Sequence, residues 1–315
     1  MAVSCTVPET AGTAARNSRE ISSFLLYTAC PAAGSTDDSP SFAAEDTIES
    51  VLLLPKLDGP QLCPLIVCPH GGPHSAFTTA NVPHYSEYLC RQAGMGILMV
   101  NYRGSTGYGS KALNALPGRI GRLDVDDVMA ATRAALQLFP TLLDGNNVGV
   151  MGGSHGGFLA AHLIGQFPLF FRAAALRNPV TNIPAMFTTS DIPDWTVVEA
   201  CGSGRYDFDS FTQPTADDMA KMREASPIRY VKDVVSPVLL CLGANDRRVP
   251  YSQGMEYYRA LASHRSIRDS KQSEVILRVY PECDHAIDKP NGEADQFICI
   301  RNFFVRHMTK SNASA

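Results

Sequence analysis

One serine in this sequence stands where a serine can act as a nucleophile. Gly152-Gly153-Ser154-His155-Gly156 carries the pattern Gly-x-Ser-x-Gly, with the apolar run Val148–Met151 before it and Phe158-Leu159 after it. The pattern alone is common. Between a strand and a helix it becomes specific, because the sharp turn it makes lifts the hydroxyl above a sheet and needs glycine at its flanks. A serine there lies at a helix N-terminus, where the dipole favours the oxyanion that develops in acyl transfer.

A serine hydroxyl is a weak nucleophile without a base, and in such folds the partners follow in the order serine, acid, histidine. Of the histidines from His155 onward, His155 is part of the turn itself, and His162 and His307 fall within helical runs. His264 lies in a polar stretch with Arg265 and Arg268. His285 follows the apolar run Val275–Tyr280, in a loop at a strand's carboxyl end, where sites on parallel sheets gather. It is the expected base. The expected acid is Asp246, just beyond the run Val238–Leu242; Asp284 is a rival by adjacency, but neighbours on a loop usually point apart. The oxyanion hole is expected to use the backbone N–H of His155 and a donor from His70-Gly71-Gly72, which follows the run Leu65–Cys68. From sequence, that second donor is either a backbone N–H or the His70 ring.

The elements that must position these groups are legible as alternating runs. Strands are expected at Ile48–Leu54, Leu65–Cys68, Gly96–Asn101, Val148–Met151, Ala173–Leu176, Val238–Leu242 and Val275–Tyr280, most of them continuously apolar and so covered on both faces. Helices are expected at Leu123–Leu138, Phe158–Gln166, Ser252–Ala262 and Ala294–Met308. Asp124, Asp126 and Asp127 crowd the start of the first, where negative charge favours the helix dipole. The alternation predicts an α/β-hydrolase fold: a doubly wound, mostly parallel sheet with helices on both faces. Residues 1–43, rich in Ala, Ser, Thr and Pro, read as irregular or poorly ordered; 44–310 read as the hydrolase domain, with an insertion over the site at about 183–235; 311–315 read as a disordered tail.

The bulk composition excludes other classes. The 315 residues are 45% apolar, enough for one large core, and the net charge of −4 comes with scattered Lys and Arg, which argues against nucleic-acid binding. No apolar stretch approaches the ~18 residues of a membrane span. Phe24-Leu25-Leu26-Tyr27 after Arg16 and Arg19 imitates a signal peptide, but its apolar part is short and Glu20 interrupts the basic flank. Nine cysteines, an odd number without a Cys-x-x-Cys pair, suit reduced thiols in a cytoplasmic protein.

From about Glu45 to His307 the chain resembles the catalytic domain of the acylaminoacyl-peptidase branch of the prolyl oligopeptidase family. The resemblance is carried by Pro69-His70-Gly71-Gly72-Pro73-His74-Ser75, Val100-Asn101-Tyr102-Arg103-Gly104-Ser105-Thr106-Gly107-Tyr108-Gly109, and Met151–Phe158. It is also carried by Arg177-Asn178-Pro179-Val180, Asp191-Ile192-Pro193-Asp194-Trp195, Asp246-Arg247-Arg248-Val249-Pro250 and Gly254-Met255-Glu256-Tyr257-Tyr258. It implies a serine peptidase that removes an N-acylated, often N-acetylated, amino acid from short peptides, with no metal or cofactor, in the cytoplasm and as a homo-oligomer. Ser154, Asp246 and His285 fall on the family's triad positions, and Arg248 on a position that binds a substrate carbonyl. Two features depart from the family. Residues 1–43 cannot form the β-propeller that precedes the family's hydrolase domain, and Ser263–Ser273 is longer and more charged than the usual link. Two other readings fit the same residues: a general carboxylesterase, and a catalytically inactive binding subunit. A dipeptidyl peptidase fits less well, since no acidic pair stands out to hold a free amino terminus.

Overall fold

Strands that are apolar at every position bury both faces, and here they form the middle of a nine-stranded sheet in a computed structural model that describes residues 2–5, 20–31, 47–57, 59–268 and 274–309. In chain order the elements begin with β1 (Ala2–Cys5), β2 (Ile21–Ala29), β3 (Thr47–Pro55), β4 (Cys63–Pro69), α1 (His84–Ala93) and β5 (Gly96–Asn101). Next come α2 (Ser110–Asn114), α3 (Leu123–Leu138), β6 (Leu143–Gly153), α4 (His155–Gln166) and β7 (Ala173–Arg177). The insertion supplies α5 (Ile183–Phe187), α6 (Pro193–Cys201) and α7 (Ala216–Glu224), and β8 (Val238–Gly243), α8 (Ser252–Arg268), β9 (Val275–Tyr280) and α9 (Pro290–Met308) complete the chain.

The strand order is β1-β2-β3-β5-β4-β6-β7-β8-β9, parallel from β5 through β9 and antiparallel from β1 to β5. All seven expected strands form; of the four expected helices, Leu123–Leu138 forms with the expected bounds and the other three are longer at one end. Strand alternation divides the core in two. Leu65, Val67, Leu98 and Val100 face the layer holding α3, α4 and α8, whereas Ile66, Cys68, Ile97 and Met99 face α1 and α9. This is the α/β-hydrolase fold.

Two expectations need correction. Residues 1–43 are not irregular throughout: β1 and β2 lie within them, and β2 pairs along its whole length with β3. The segment that imitates a signal peptide is part of this strand, with Leu26 in the core and Phe24 packed on Phe139 at 5.1 Å. The composition of the flanking residues masked a nine-residue strand. The helix-dipole reading of the aspartates at the start of α3 is also incomplete. Asp124 and Asp127 are fully buried, and Asp127 accepts hydrogen bonds from the Arg103 backbone N–H at 2.9 Å and from its guanidinium. The expected tail at 311–315 lies outside the described residues.

α4 carries a histidine that fixes part of the pH behaviour. His162 is buried; its Nε2–H donates to the Ala225 carbonyl at 2.9 Å, and its Nδ1 accepts from Gln166 at 2.9 Å. Burial pushes its pKa from 6.5 down to about 4. The unfolded chain therefore binds a proton below pH 6.5 that the folded chain refuses until about pH 4. Stability from this site is complete above the first value and is lost as pH falls towards the second. We expect the urea midpoint to decline over that interval, with His162 contributing on the order of 3 kcal/mol. His162→Gln should make the decline shallower by its own share, whatever it does to stability at pH 7, and midpoints measured at half-unit steps of pH would check it.

Candidate active site

β6 ends at Gly153 and α4 begins at His155, so a single residue makes the turn. That residue is Ser154, at φ 58° and ψ −123°, a conformation that few non-glycine residues adopt and that costs on the order of 1–3 kcal/mol. The neighbours make the turn possible. A Cβ at Gly152 would collide with the Gly156 backbone, and one at Gly156 would collide with the Pro69 carbonyl. The turn is thus pressed against the loop that follows β4, with no room for a side chain at either position. The Ser154 backbone N–H donates to the Arg177 carbonyl at 2.9 Å, which fastens the turn to the end of β7.

Asp246 and His285 come together. The His285 Nδ1–H donates to Asp246 Oδ2 at 2.7 Å, and the other carboxylate oxygen accepts the backbone N–H groups of Arg248 and Val249, each at 2.9 Å. The Asp246 side chain is fully buried, whereas that of His285 is 31% exposed. A carboxylate held this way fixes the imidazole with its proton on Nδ1 and its Nε2 free to accept. No hydrogen bond links Ser154 Oγ to His285 in this structure; in substrate-free sites such contacts are often long and tighten only when substrate is bound. Asp284, the rival acid, accepts the Ala286 backbone N–H at 3.3 Å and makes no bond to the His285 ring.

The loop after β4 lies against the nucleophile position. A Cβ on Gly71 would stand 3.2 Å from the Gly153 carbonyl oxygen and 3.4 Å from Ser154 Cβ. The backbone N–H groups of Gly71 and His155 have no acceptor among the described residues, and the second is an unpaired first-turn donor of α4. The His70 ring is occupied. Its Nδ1–H donates to the Gly71 carbonyl at 2.7 Å, its Nε2 accepts from Ser105 Oγ at 2.6 Å, and it stacks on Tyr102 at 4.4 Å. Burial lowers its pKa to about 4, so it is neutral near pH 7. Of the two donors that the sequence left open, the geometry favours the Gly71 backbone over the His70 ring. The Gly72 carbonyl accepts from Trp195 Nε1 at 3.0 Å, which brings α6 of the insertion onto this loop. His74 adds a second tie, facing the Gly104 carbonyl at 2.8 Å and Glu199 of α6 at 3.2 Å. The hydrogen bond to Glu199 raises its pKa.

Arg248 donates through Nε to Asp191 at 2.8 Å and through Nη2 at 3.4 Å, in a half-exposed ion pair. Three supporting residues were given no part in the site by the sequence reading. Asn178, at φ 40° just past β7, accepts the Gly243 N–H at 2.9 Å and donates to the His285 carbonyl at 2.9 Å, so it ties the acid's strand to the histidine's loop. Arg177 donates to the Ala286 carbonyl at 2.9 Å and to Gln296 at 2.7 Å, supporting the same loop. Asp124 accepts from the ring of His155. The signal for Asn178 was a polar residue ending an apolar strand at the sheet's carboxyl edge; no local signal marked Asp124 apart from its neighbours.

Residues 82–311 match the prolyl oligopeptidase family. The chain belongs to that family. Among curated relatives it is similar to an acylamino-acid-releasing enzyme from Homo sapiens, at 46% identity over 75% of this chain and 30% of the relative. It is similar to acylamino-acid-releasing enzyme 1 from Oryza sativa subsp. japonica at 42% identity, over 78% of this chain and 30% of the relative. The chain therefore spans about three-tenths of the length of these relatives. Among solved structures, an acylaminoacyl peptidase from Pyrococcus horikoshii aligns with a TM-score of 0.75 at 21% identity, over 95% of this chain and 43% of that one. This last likeness concerns the fold alone.

Removing Asn178 tests how the site is held. Asn178→Ala leaves the Gly243 N–H buried without a partner and removes one of the two braces of the His285 loop. We expect a loss of about 2 kcal/mol of stability by urea unfolding. Fluorophosphonate labelling of Ser154 should slow at least about tenfold, since a 1 Å misplacement can cost more than that.

Proposed function

We propose that this chain is the catalytic domain of a serine peptidase that releases an N-acylated, often N-acetylated, amino acid from short peptides. The observation that carries the reading is the hydrogen bond from His285 to the buried carboxylate of Asp246, in a loop at the edge of the sheet where Ser154 is held in a strained turn. The similarity to acylamino-acid-releasing enzymes supports the substrate class.

In this reading Ser154 Oγ attacks the carbonyl of the acylated residue. The bond from Oγ to carbon forms while the hydroxyl proton passes to His285 Nε2, and Asp246 stabilises the resulting imidazolium without taking the proton. The developing oxyanion accepts from the backbone N–H groups of His155 and Gly71. The scissile C–N bond then breaks, and the proton on His285 goes to the leaving amine. Water, deprotonated by the same imidazole, attacks the ester carbonyl; the C–Oγ bond breaks, the proton on His285 returns to Ser154 Oγ, and the acyl-amino acid is freed. Arg248 is the proposed donor to a second substrate carbonyl: its Nη1 is not used by the pair with Asp191, and its backbone N–H braces Asp246. The odd number of cysteines without a Cys-x-x-Cys pair supports a cytoplasmic setting. No described helix is long and apolar enough to cross a membrane.

Purified protein given N-acetyl-alanyl p-nitroanilide should release nitroaniline, and Ser154→Ala should abolish release. Asp246→Asn should lower kcat by about 10⁴-fold, as loss of the orienting carboxylate does in other serine hydrolases. Release by the unaltered protein no faster than by Ser154→Ala would sink the peptidase reading. A kcat/KM at least about 100-fold higher on short acyl esters would instead assign a general esterase.

A further inference from the structure

A second histidine–carboxylate pair lies directly behind the nucleophile, and the proposed chemistry does not use it. The Nε2–H of His155 donates to Asp124 Oδ2 at 2.9 Å, and both side chains are fully buried. Asp124 Oδ1 accepts the backbone N–H groups of Gly121 at 2.8 Å and Val125 at 3.0 Å, so the carboxylate is pinned to the start of α3. The ring of His155 is enclosed by Phe158 at 4.8 Å, Tyr102 at 5.9 Å and Trp195 at 5.8 Å. Its Nδ1 is buried without a hydrogen-bond partner. These contacts permit one arrangement of a neutral ring, with the proton on Nε2 and the lone pair of Nδ1 among the aromatic rings.

We propose that Asp124 is a positioning residue for acyl transfer, acting through the His155 ring to hold the His155 backbone N–H aimed at the oxyanion. The inference rests on the proposed function above. A backbone N–H cannot be re-aimed without moving its own residue, and the ring is the handle by which the rest of the protein grips that residue. Tyr102 links the grip to the other side of the hole, since it packs near His155 and its hydroxyl donates to the His70 carbonyl at 2.9 Å. Asp124 thus holds its half of the oxyanion hole in register with the loop that carries Gly71. Asparagine at 124 undoes this. Its oxygen would still accept from Gly121 and Val125, which leaves an N–H donor facing His155 Nε2. That forces the ring proton onto Nδ1, among aromatic rings with no acceptor, so the ring turns and the donor is displaced.

The test uses Asp124→Asn, His155→Phe and the double variant, with kcat and KM for N-acetyl-alanyl p-nitroanilide normalised to sites titrated by a fluorophosphonate. Inhibition by N-acetyl-alanyl trifluoromethyl ketone, whose hemiketal oxyanion occupies the same hole, is the second readout. For Asp124→Asn we expect kcat per titrated site to fall about 10- to 100-fold with KM within about twofold. Ketone affinity should weaken in parallel with kcat/KM. A structural role alone would lower the number of titratable sites and leave kcat per site unchanged, which would overturn the proposal. The double variant should be no slower than the slower single variant, because both act through one ring; losses that multiply would also overturn it. Should Asp124→Asn fail to fold, His155→Phe carries the test, with a fall in kcat per site of at least about fivefold expected and an unchanged value overturning the proposal. An unaltered protein without hydrolysis would overturn the proposed function itself, whereas normal hydrolysis in it together with unaffected variants overturns this inference alone.

Discussion

The active-site region is organised around a close approach of two backbones. Gly156 at the start of α4 lies so near the Pro69 and His70 carbonyls that a side chain has no room, and Gly152 lies as close to Gly156. That contact sets the height of the turn at Ser154 and brings the loop after β4 beside it. It also holds Ser154 at a positive φ that the residue would not adopt alone. The parallel strands β4, β6 and β7 supply the rigidity. Their residues within the core are buried on both faces, and sliding one strand past another would reverse which side chains face each half of the core.

Three histidine–carboxylate pairs surround this turn, and burial separates their roles. His285 with Asp246 joins a partly exposed ring to a buried carboxylate. Such a ring can gain and lose a proton against solvent or substrate while its partner stays ionised. His155 with Asp124 is sealed from solvent on both sides. His74 with Glu199 couples a ring that is 33% exposed to a carboxylate on α6, with a carbonyl on the ring's other nitrogen. Acceptors at both nitrogens favour the charged ring, which agrees with its raised pKa. The same two residue types therefore occupy three settings: a partly exposed ring, a sealed pair and a link to α6.

The insertion is bound to the site by polar contacts as well as by its apolar core. Trp195 donates to the Gly72 carbonyl, Glu199 meets His74, and Asp191 meets Arg248 beside the acid. Each contact joins α6 or the segment leading into it to a loop at the carboxyl edge of the sheet. These contacts tie the insertion to the loop holding Gly71 and to the segment after β8. The histidine's loop is braced separately, from the end of β7, by Asn178 and Arg177.

Chain order, strand spacing and glycine positions alone determined that an apolar strand runs into Ser154, that Asp246 and His285 each follow a strand, and that the sheet is mostly parallel. These properties are local, set by side-chain type over a few residues. The sequence did not reveal the strand Ile21–Ala29, because the surrounding composition argued for irregular chain and the pairing with β3 is a long-range contact. Only the tertiary structure decided that the His70 ring is turned away to Ser105, leaving the backbone to face the site. Only packing likewise distinguished Asp124, which meets a histidine on another helix, from Asp126, which stays at the surface. A carboxylate's role is set by what lies across from it in space, and that partner is here 31 residues away along the chain.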